Sequence, residues 1–455
     1  MKYFFYPIAI AALIFLIVIG VLVYVREKGS DTISGSSIPL VSVGEKAPEK
    51  TPEERIAEAK ERSSHIKGLY MTADVANDQG AGATRLRDKI IQLAETTEIN
   101  GIVIDVKEVC GPDYSPENLK KLIDELHQKN IWAIARIAVF KDASQIEVHP
   151  EWYLTRKAQI PVEDWCARKK YLQAKNPAGE KPSVYFWRDT KGGYWLDPAS
   201  DGARHYIAEL GKKMIDLGFD ELQFDYIRFP SDGDTQNAIY PVWDKKTPRH
   251  EILKSFFEFL NASLKSHKPE IIMSADLFGY VATQREDLGI GQRLQDIGNY
   301  FDYTSFMVYP SHYYSGLVLP ADPQDALPAV NLTAHEARAH PDTVVYRSLL
   351  AARNFLDGKT RMPDSRAERG TKIATSTQNI ASTTSFAIAS STPVSGAKLR
   401  PWLEDFFHEQ DKAAKRPYGA EKVRLQIDAA QKAEPHGWML WNAANVYTEE
   451  ALRKE

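Results

Sequence analysis

The segment SDGARHYIAELGKKMIDLGFDELQFDYIRF, residues 200–229, joins one predicted helix to one predicted strand. The helix covers Ser200–Leu217, and the strand covers Asp220–Phe229. Similar strand and helix segments alternate along the chain from Gly68 onward. Regular alternation of this kind is typical of a parallel sheet whose helices lie outside it.

Eight segments have the length and apolar composition of strands. They are Gly68–Asp74, Gly101–Glu108, Ile131–Phe140, Asp220–Phe229, Ile271–Leu277, Asp302–Pro310, Leu399–Phe407 and Gly437–Asn442. The segments between them predict helices at Thr84–Thr96, Pro116–Lys129, Ser200–Leu217, Arg249–Ser266, Thr343–Leu356 and Ala420–Lys432. Eight such units predict an α/β fold of the (β/α)8 TIM-barrel type. An open nucleotide-binding sheet is disfavoured, because no junction carries G-x-G-x-x-G or a P-loop.

Composition and charge limit the function classes. The 455-residue chain is 43% hydrophobic and 26% charged, which is ordinary for a globular protein. Its 57 Lys and Arg residues nearly balance 61 Asp and Glu residues, and such a balance argues against a nucleic-acid partner. Two cysteines are too few for a disulfide scaffold or a Cys-rich zinc site. The histidines have no metal-ligand spacing, so we predict neither a metal nor a cofactor.

The N-terminus predicts a membrane anchor. Tyr3–Val25 carries no charge and is long enough to cross a bilayer, which takes about 20 apolar residues. A cleaved signal peptide is the alternative, but its apolar region is usually about 7–15 residues and ends at a small-x-small site, which residues 23–26 lack. We therefore predict a signal anchor at residues 1–28, a polar tether at 29–66 and a single-pass protein of the cell membrane. The basic residues flanking the segment leave its orientation open, and we expect the barrel to be extracytoplasmic.

Three further segments are distinctive. Thr51, Pro52 and two acids predict the start of a short helix within the tether. The barrel should cover residues 67–449 with two loop insertions. The first, at about 151–194, follows the third strand and should decorate the barrel mouth. The second, at about 359–397, contains a run in which 12 of 26 residues (371–396) are Ser or Thr, which predicts a flexible insertion.

Functional side chains of such barrels lie at the C-terminal ends of the strands. Candidates at these ends are Asp105, Lys107, Glu108, Arg136, Gln223, Asp225, Arg228, Asp276, Tyr309, Trp402, Asp405, Trp441 and Asn442. Alternation along the fourth strand places Gln223 and Asp225 on its inner face. A buried carboxylate is costly unless it is paired, and Arg136, Lys107 and Arg228 are possible partners. An ion network that closes the barrel top without catalysis is the alternative interpretation.

Several sequence blocks resemble the putative glycosyl-hydrolase domain family, whose members are barrels remotely similar to the α-amylase superfamily. The blocks are GIVIDVKE, ARIAVFKD, WLDP, GFDELQFDYIRFPSDG, RPWLEDF and GWMLWN, and the resemblance runs from Gly68 to Tyr447 except for the insertions. The resemblance implies a glycosidase-like barrel in which Asp225 is the nucleophile and Asp276 is the acid/base. This chain departs from amylases in having Gln223 where they have Arg, and Asp276 where they have Glu.

Glycoside hydrolysis needs two carboxyl groups on either side of the scissile bond. Neighbouring strands lie about 4.8 Å apart, so Asp225 and Asp276 could supply that pair. Asp105 and Asp405 are reserve candidates, and four tryptophans could stack on sugar rings or belong to the core: Trp187, Trp195, Trp402 and Trp441. We therefore predict a membrane-anchored glycoside hydrolase acting on an extracellular or cell-envelope polysaccharide.

Two other functions remain open from the sequence. One is a non-catalytic carbohydrate-binding or envelope-organising barrel. The other is a hydrolase or lyase of different bond chemistry, with a metal at Asp105, Glu108 or Asp276. The two cysteines also leave a choice, since Cys110 and Cys166 should lie at the same barrel face as either a disulfide or two thiols.

Overall fold

A computed structural model describes residues 50–158, 166, 185–359, 396–406, 418–434 and 436–454. The predicted anchor at residues 1–28 lies outside these residues. So do the first part of the tether and most of the second insertion. Within the described ranges, no helix is both long and apolar enough to cross a membrane.

Eight parallel strands form a closed barrel, as the alternation predicted. They are β1 (Ile66–Met71), β2 (Gly101–Glu108), β3 (Trp132–Ala138), β4 (Glu221–Asp225), β5 (Ile272–Phe278), β6 (Tyr303–Met307), β7 (Trp402–Glu404) and β8 (Gly437–Trp441). Each strand pairs with the next, and β8 pairs with β1 to close the ring. A short strand, Lys398–Leu399, also pairs with β6.

One helix precedes the first strand, and the others lie between the strands in sequence. They are α1 (Pro52–Arg62), α2 (Ala73–Asn77), α3 (Ala81–Thr96), α4 (Pro116–Gln128), α5 (Asp201–Leu217), α6 (Arg249–His267), α7 (Leu294–Ile297), α8 (Ala334–Ala339), α9 (Pro341–Leu356) and α10 (Ala420–Ala433). Serine hydroxyls cap α4 and α5, where Ser115 and Ser200 accept from the third helical N–H. The six long helices predicted from the sequence are all present.

The apolar residues form a large core between the strands and the helices and a smaller one inside the barrel. The inner core consists of Ile66, Tyr70, Val103, Trp132, Ile134, Ile272, Tyr303, Tyr309, Trp402 and Met439. Side chains alternate between the two faces of each strand, which is why neighbouring strand residues belong to different cores. The inner core fills the barrel, so a ligand can bind only at one of its ends.

The floor of the barrel, at the N-terminal ends of the strands, is closed by a buried ion pair. Arg400 donates to Glu221 at 2.8 and 2.9 Å, and both side chains are fully buried. Arg400 also donates to the backbone carbonyl of Ser63 at 2.7 Å. This pair was not predicted, because the candidate residues of the sequence all lie at the opposite ends of the strands.

The helix predicted within the tether is α1. Thr51 and Glu54 form a capping box at its start. Arg55 pairs with Glu270 at 3.1 Å, and the Ser63 hydroxyl lies 3.0 Å from that of Tyr303. Residues 50–66, which we assigned to the tether, therefore contact the barrel floor.

A disulfide joins Cys110, in the loop after β2, to Cys166 in the first insertion. The structure thereby resolves the choice that the sequence left open. Trp187 and Trp195, at the C-terminal end of this insertion, are fully buried and donate their indole N–H groups to Asp234 and Asp189. Both tryptophans belong to the core, so neither offers a stacking surface for a sugar.

Candidate active site

The guanidinium group of Arg136 lies among three carboxylates at the mouth of the barrel. It donates to Asp105 Oδ1 at 2.5 Å through Nη1 and to Asp225 Oδ2 through Nη2. Its Nε lies 3.6 Å from Oδ2 of Asp276. One charged residue from each of β2, β3, β4 and β5 therefore joins a single cluster, which we call the Arg136 cluster.

The register of the strands explains why these side chains meet. Asp105 pairs directly with Arg136 across β2 and β3. Asp225 is the last residue of β4, and Asp276 follows the last β5 residue that pairs with β4. Because alternate side chains of a strand point to the same face, the four residues share the inner face of the barrel.

Burial and charge shift the pKa values within the Arg136 cluster. Burial acts to lower the pKa of Arg136, but the negative charges of Asp105 and Asp225 outweigh it and hold that pKa well above its ordinary value. Burial raises the pKa of Asp105, although Arg136 and the hydroxyl of Tyr70 partly oppose the shift. Arg136 therefore keeps its positive charge and serves as the common counterion of the cluster.

The surroundings of Asp276 favour the protonated form of its carboxyl group. It is 1% exposed, and burial raises its pKa well above the ordinary value, with a further rise caused by the negative charge of Asp225. Trp402 donates its indole N–H to Oδ1 at 2.8 Å. Within the described residues, Oδ2 has no hydrogen-bond partner. A proton on Asp276 would therefore be carried by Oδ2.

Asp225 is the most exposed carboxylate of the cluster. Its exposed fraction is 6%, against 1% for both Asp105 and Asp276. The backbone N–H of Tyr226 donates to Asp225 Oδ1 at 2.5 Å, and Tyr226 itself has φ of 50°. Such a left-handed conformation is uncommon for a residue with a side chain. It turns the chain immediately after β4 and holds Asp225 at the lip of the barrel.

Aromatic rings line the mouth beside the cluster. The rings of Tyr309 and Trp441 stack with 6.0 Å between their centroids, and Phe406 meets Trp441 edge-on at 5.0 Å. Burial raises the pKa of the Tyr309 hydroxyl well above its ordinary value, and the charge of Asp276 adds to the rise. Trp441 and Phe406 are half-buried, so part of each ring is exposed to a ligand. Flat amphipathic rings of this kind suit the apolar face of a sugar.

Tyr70 belongs to the site but was not selected from the sequence. Its hydroxyl donates to Asp105, and its ring lies 5.8 Å from the guanidinium carbon of Arg136. We had placed the end of the first strand at Asp74, whereas β1 ends at Met71. Side chains alternate between the two faces of a strand, which places Tyr70 on the same face as Gly68. This alternation was the sequence pattern from which Tyr70 could have been predicted.

Two predicted substrate contacts at the end of β2 are engaged elsewhere. Lys107 is fully buried, donates to the carbonyl of Ala138 and lies 3.1 Å from Asp142. The pairing of β2 with β3 shifts register between Asp105 and Lys107, so simple alternation does not hold beyond Asp105. Glu108 is half-buried in a short antiparallel hairpin. These contacts favour a structural role for the end of β2.

Three other candidates also make structural contacts. Gln223 lies inside the barrel and donates to the Ser305 hydroxyl at 3.2 Å. Asp405 accepts hydrogen bonds from the backbone and the hydroxyl of Thr448, at 2.8 and 2.6 Å. Asn442 donates to the backbone carbonyl of Asp405. Asp405 and Asn442 thus attach the C-terminal segment to the barrel.

The sequence left a metal-dependent reaction open, with Asp105, Glu108 or Asp276 as ligands. In the part of the chain that the structure describes, no group of three His, Cys, Asp or Glu side chains could hold a metal ion. Asp105 and Asp276 instead both lie against the positively charged side chain of Arg136.

Solved structures similar to the chain include a hypothetical protein from Ruminiclostridium thermocellum. It is 24% identical, with 49% of this chain and 98% of that chain covered and a TM-score of 0.34. The PgaB (BpsB) glycoside hydrolase domain from Bordetella bronchiseptica is 10% identical, over 84% of this chain and 95% of that chain, with a TM-score of 0.48. Amy13B from Eubacterium rectale is 12% identical, over 85% and 69% of the two chains, with a TM-score of 0.43.

No curated protein matches the chain significantly. One family model matches it over residues 68–367 and 368–447, which is most of its length. That family is described as "Putative glycosyl hydrolase domain". The match spans all eight strands of the barrel except the first two residues of β1.

Proposed function

The chain belongs to this putative glycosyl hydrolase domain family, and we propose that it cleaves a cell-envelope or extracellular polysaccharide with Asp225 and Asp276. Membership of the family supports glycoside hydrolase as the enzyme class. One observation carries the assignment: both carboxyl groups lie against the same guanidinium, at the ends of adjacent strands. Glycosidases need such a pair with one member ionised and the other protonated.

Asp276 is the proposed acid. Its raised pKa keeps it protonated at pH values where ordinary carboxyl groups are ionised. The proton on Oδ2 passes to the glycosidic oxygen as the bond to the leaving sugar breaks. Trp402 holds Oδ1 and so orients the carboxyl group.

Asp225 is the proposed partner carboxylate. Its carboxylate pairs with Arg136, and from there it would stabilise positive charge developing on the sugar ring or attack the anomeric carbon. Because one guanidinium spans both carboxyl groups, their separation stays below the roughly 9.5 Å at the upper limit for inverting enzymes. Asp105, held by Tyr70 and Arg136, positions Arg136.

The proposed location is the outer side of the cell membrane. The apolar segment at residues 3–25 supports an anchor. The disulfide between Cys110 and Cys166 supports an oxidising compartment for the barrel, because disulfides seldom persist in the cytosol. Protease added to intact cells should degrade the barrel while leaving a cytosolic control protein intact; protection of the barrel would overturn this location.

The function can be tested with the purified full-length chain and a panel of polysaccharides. We expect wild type to release new reducing ends from at least one member, and Asp225→Asn and Asp276→Asn to lose about 10²–10⁴-fold in rate. Thermal unfolding of each variant shows whether it is folded. Fully active Asp225→Asn would refute the assignment of the catalytic pair.

A second candidate is a barrel that binds carbohydrate without cleaving it. The observation that favours it is the deep burial of Asp105 and Asp276 in an ion network that also stabilises the barrel top. This candidate predicts saccharide binding in calorimetry with no reducing ends released, and binding that survives Asp276→Asn.

A further inference from the structure

Arg228 lies at the rim of the barrel, between the strands that carry the two proposed catalytic carboxyl groups. Its guanidinium carbon is 5.3 Å from the ring centroid of Tyr226, the residue that directly follows β4. It is 4.5 Å from the ring centroid of Phe278, the last residue of β5. The side chain therefore lies next to the gap between Asp225 and Asp276.

The environment of Arg228 is mainly aromatic. The residue is 6% exposed, and a third ring, that of Trp195, lies 5.0 Å from its guanidinium carbon. Tyr226 and Phe278 are both half-buried, so this aromatic wall is open to solvent on one side. All three centroid distances lie within the range of about 6 Å that is typical of cation–π contacts.

Arg228 makes a single hydrogen bond among the described residues, from Nη1 to the carbonyl of Phe229 at 3.0 Å. Its Nε–H and the Nη2 N–H groups remain without an acceptor there. Two adjacent donors of this kind form the planar fork that recognises a carboxylate with two parallel hydrogen bonds. Burial lowers the pKa of Arg228, and the negative charges of nearby groups, among them Asp225, Asp232 and Asp189, oppose that shift only in part.

The nearest acidic groups are occupied by other donors. Asp225 binds Arg136. Asp189 accepts from Lys141 at 2.7 Å and from Trp195 at 2.9 Å. The remaining neighbour, Asp232, accepts the backbone N–H of Thr190 at 2.9 Å. Within the described ranges, Arg228 thus forms no ion pair with a carboxylate.

We propose that Arg228 binds the carboxylate of a uronic acid in the substrate, so that the polysaccharide cleaved at Asp225 and Asp276 is acidic. This inference rests on the proposed function for the position of the scissile bond. A uronate at the rim gives the buried guanidinium a directly hydrogen-bonded negative charge, whereas a neutral sugar does not. The rim would therefore select for an acidic sugar beside the site of cleavage.

The main rival is a purely structural role, in which Arg228 joins the first insertion to the barrel through its contact with Trp195. Arg249 is a matched control for that role. It too lies on aromatic rings, 5.0 Å from Trp243 and 5.6 Å from Phe229, and donates to a backbone carbonyl, that of Gly289. Loss of Arg249 removes a comparable structural contact without touching the catalytic pair.

The test uses acidic polysaccharides of several linkages, each paired with its own carboxyl-reduced product, which has the same linkage but no charge. Binding is measured by calorimetry and cleavage by reducing ends, on the full-length chain. We expect wild type to prefer at least one acidic member over its reduced product by tenfold or more. Arg228→Gln should abolish this preference, Arg228→Lys should restore it only in part, and Arg249→Gln should keep it.

Equal binding of an acidic polysaccharide and its reduced product would overturn the inference, as would a preference that survives in Arg228→Gln or a failure to bind any acidic member. A preference for sulfated polysaccharides alone would overturn the assignment to carboxylate. Cleavage of neutral polysaccharides only would refute the uronate site and leave the glycosidase proposal standing. Binding of uronates without cleavage would refute the glycosidase proposal and leave Arg228 as a binding residue.

Discussion

The indole N–H of Trp402 donates to Oδ1 of Asp276 at 2.8 Å, from a strand that is not adjacent to that of the acid. Both side chains are 1% exposed. This hydrogen bond favours the charged form of Asp276, while burial and the charge of Asp225 oppose it. The proton affinity of Asp276 therefore depends on a residue two strands away in the barrel.

Replacement of Trp402 by phenylalanine should raise the pKa of Asp276 further, because it removes a donor that stabilises the carboxylate. A general acid with a higher pKa stays protonated to higher pH, so the alkaline limb of the pH–activity profile should move up by about one unit. Trp438→Phe is the matched control, since Trp438 is fully buried and its indole nitrogen has no partner in the described part of the chain. An unshifted limb in Trp402→Phe would contradict the assignment of the acid.

Asp276→Asn should change how stability depends on pH. The folded-state pKa of Asp276 lies above its unfolded value, so the wild type loses stability as the pH rises from about 4 toward the folded pKa. Asparagine keeps the hydrogen bond from Trp402 and does not titrate. Urea unfolding at pH 4 and at pH 7 should therefore show the variant gaining stability relative to wild type at the higher pH. Parallel pH profiles for the two proteins would disprove the shift.

Removal of Arg136 should be strongly destabilising. Arg136→Met leaves Asp105, Asp225 and Asp276 in one buried cluster without their counterion, and breaking a buried pair costs about 3–5 kcal/mol. The loss in free energy of unfolding should shrink in acid, where the carboxyl groups are protonated. A loss that does not vary with pH would mean that packing, and not charge, explains the effect.

The sequence was informative where side-chain pattern alone determines structure. The eight strands are apolar segments flanked by amphipathic helices, and their closure into a barrel follows from their number. Asp105, Arg136, Asp225 and Asp276 were found because polar residues at strand ends in apolar surroundings are conspicuous. That all three acids share Arg136 depends on register, which the sequence does not state.

The errors also have physical causes. Lys107 was a candidate at the end of its strand, but the register shift between Asp105 and Lys107 breaks the simple alternation of side chains there. The sequence left Trp187 and Trp195 open as stacking surfaces or core residues, and their burial places them in the core. The ion pair of Glu221 and Arg400 joins residues 179 positions apart, and no local signal connects them.

The disulfide should contribute to stability. Cys110 and Cys166 are 56 positions apart, and closing a loop of that length is worth up to about 4 kcal/mol in the unfolded-chain entropy model. The double variant Cys110→Ser/Cys166→Ser should unfold several degrees lower in a thermal scan, as should wild type treated with a reductant. Reductant should leave the melting temperature of the double variant unchanged. Equal melting temperatures for wild type and variant would show that the bond is not formed or not stabilising.

The most direct test of the central claim is the rate at which wild type and Asp225→Asn hydrolyse the same polysaccharide. The two proteins should first be matched in thermal unfolding, so that a lost fold does not pass for lost chemistry. We predict that Asp225→Asn loses about 10²–10⁴-fold in rate while its affinity for the polysaccharide stays within a few fold of wild type. Equal rates for the two proteins would contradict the account.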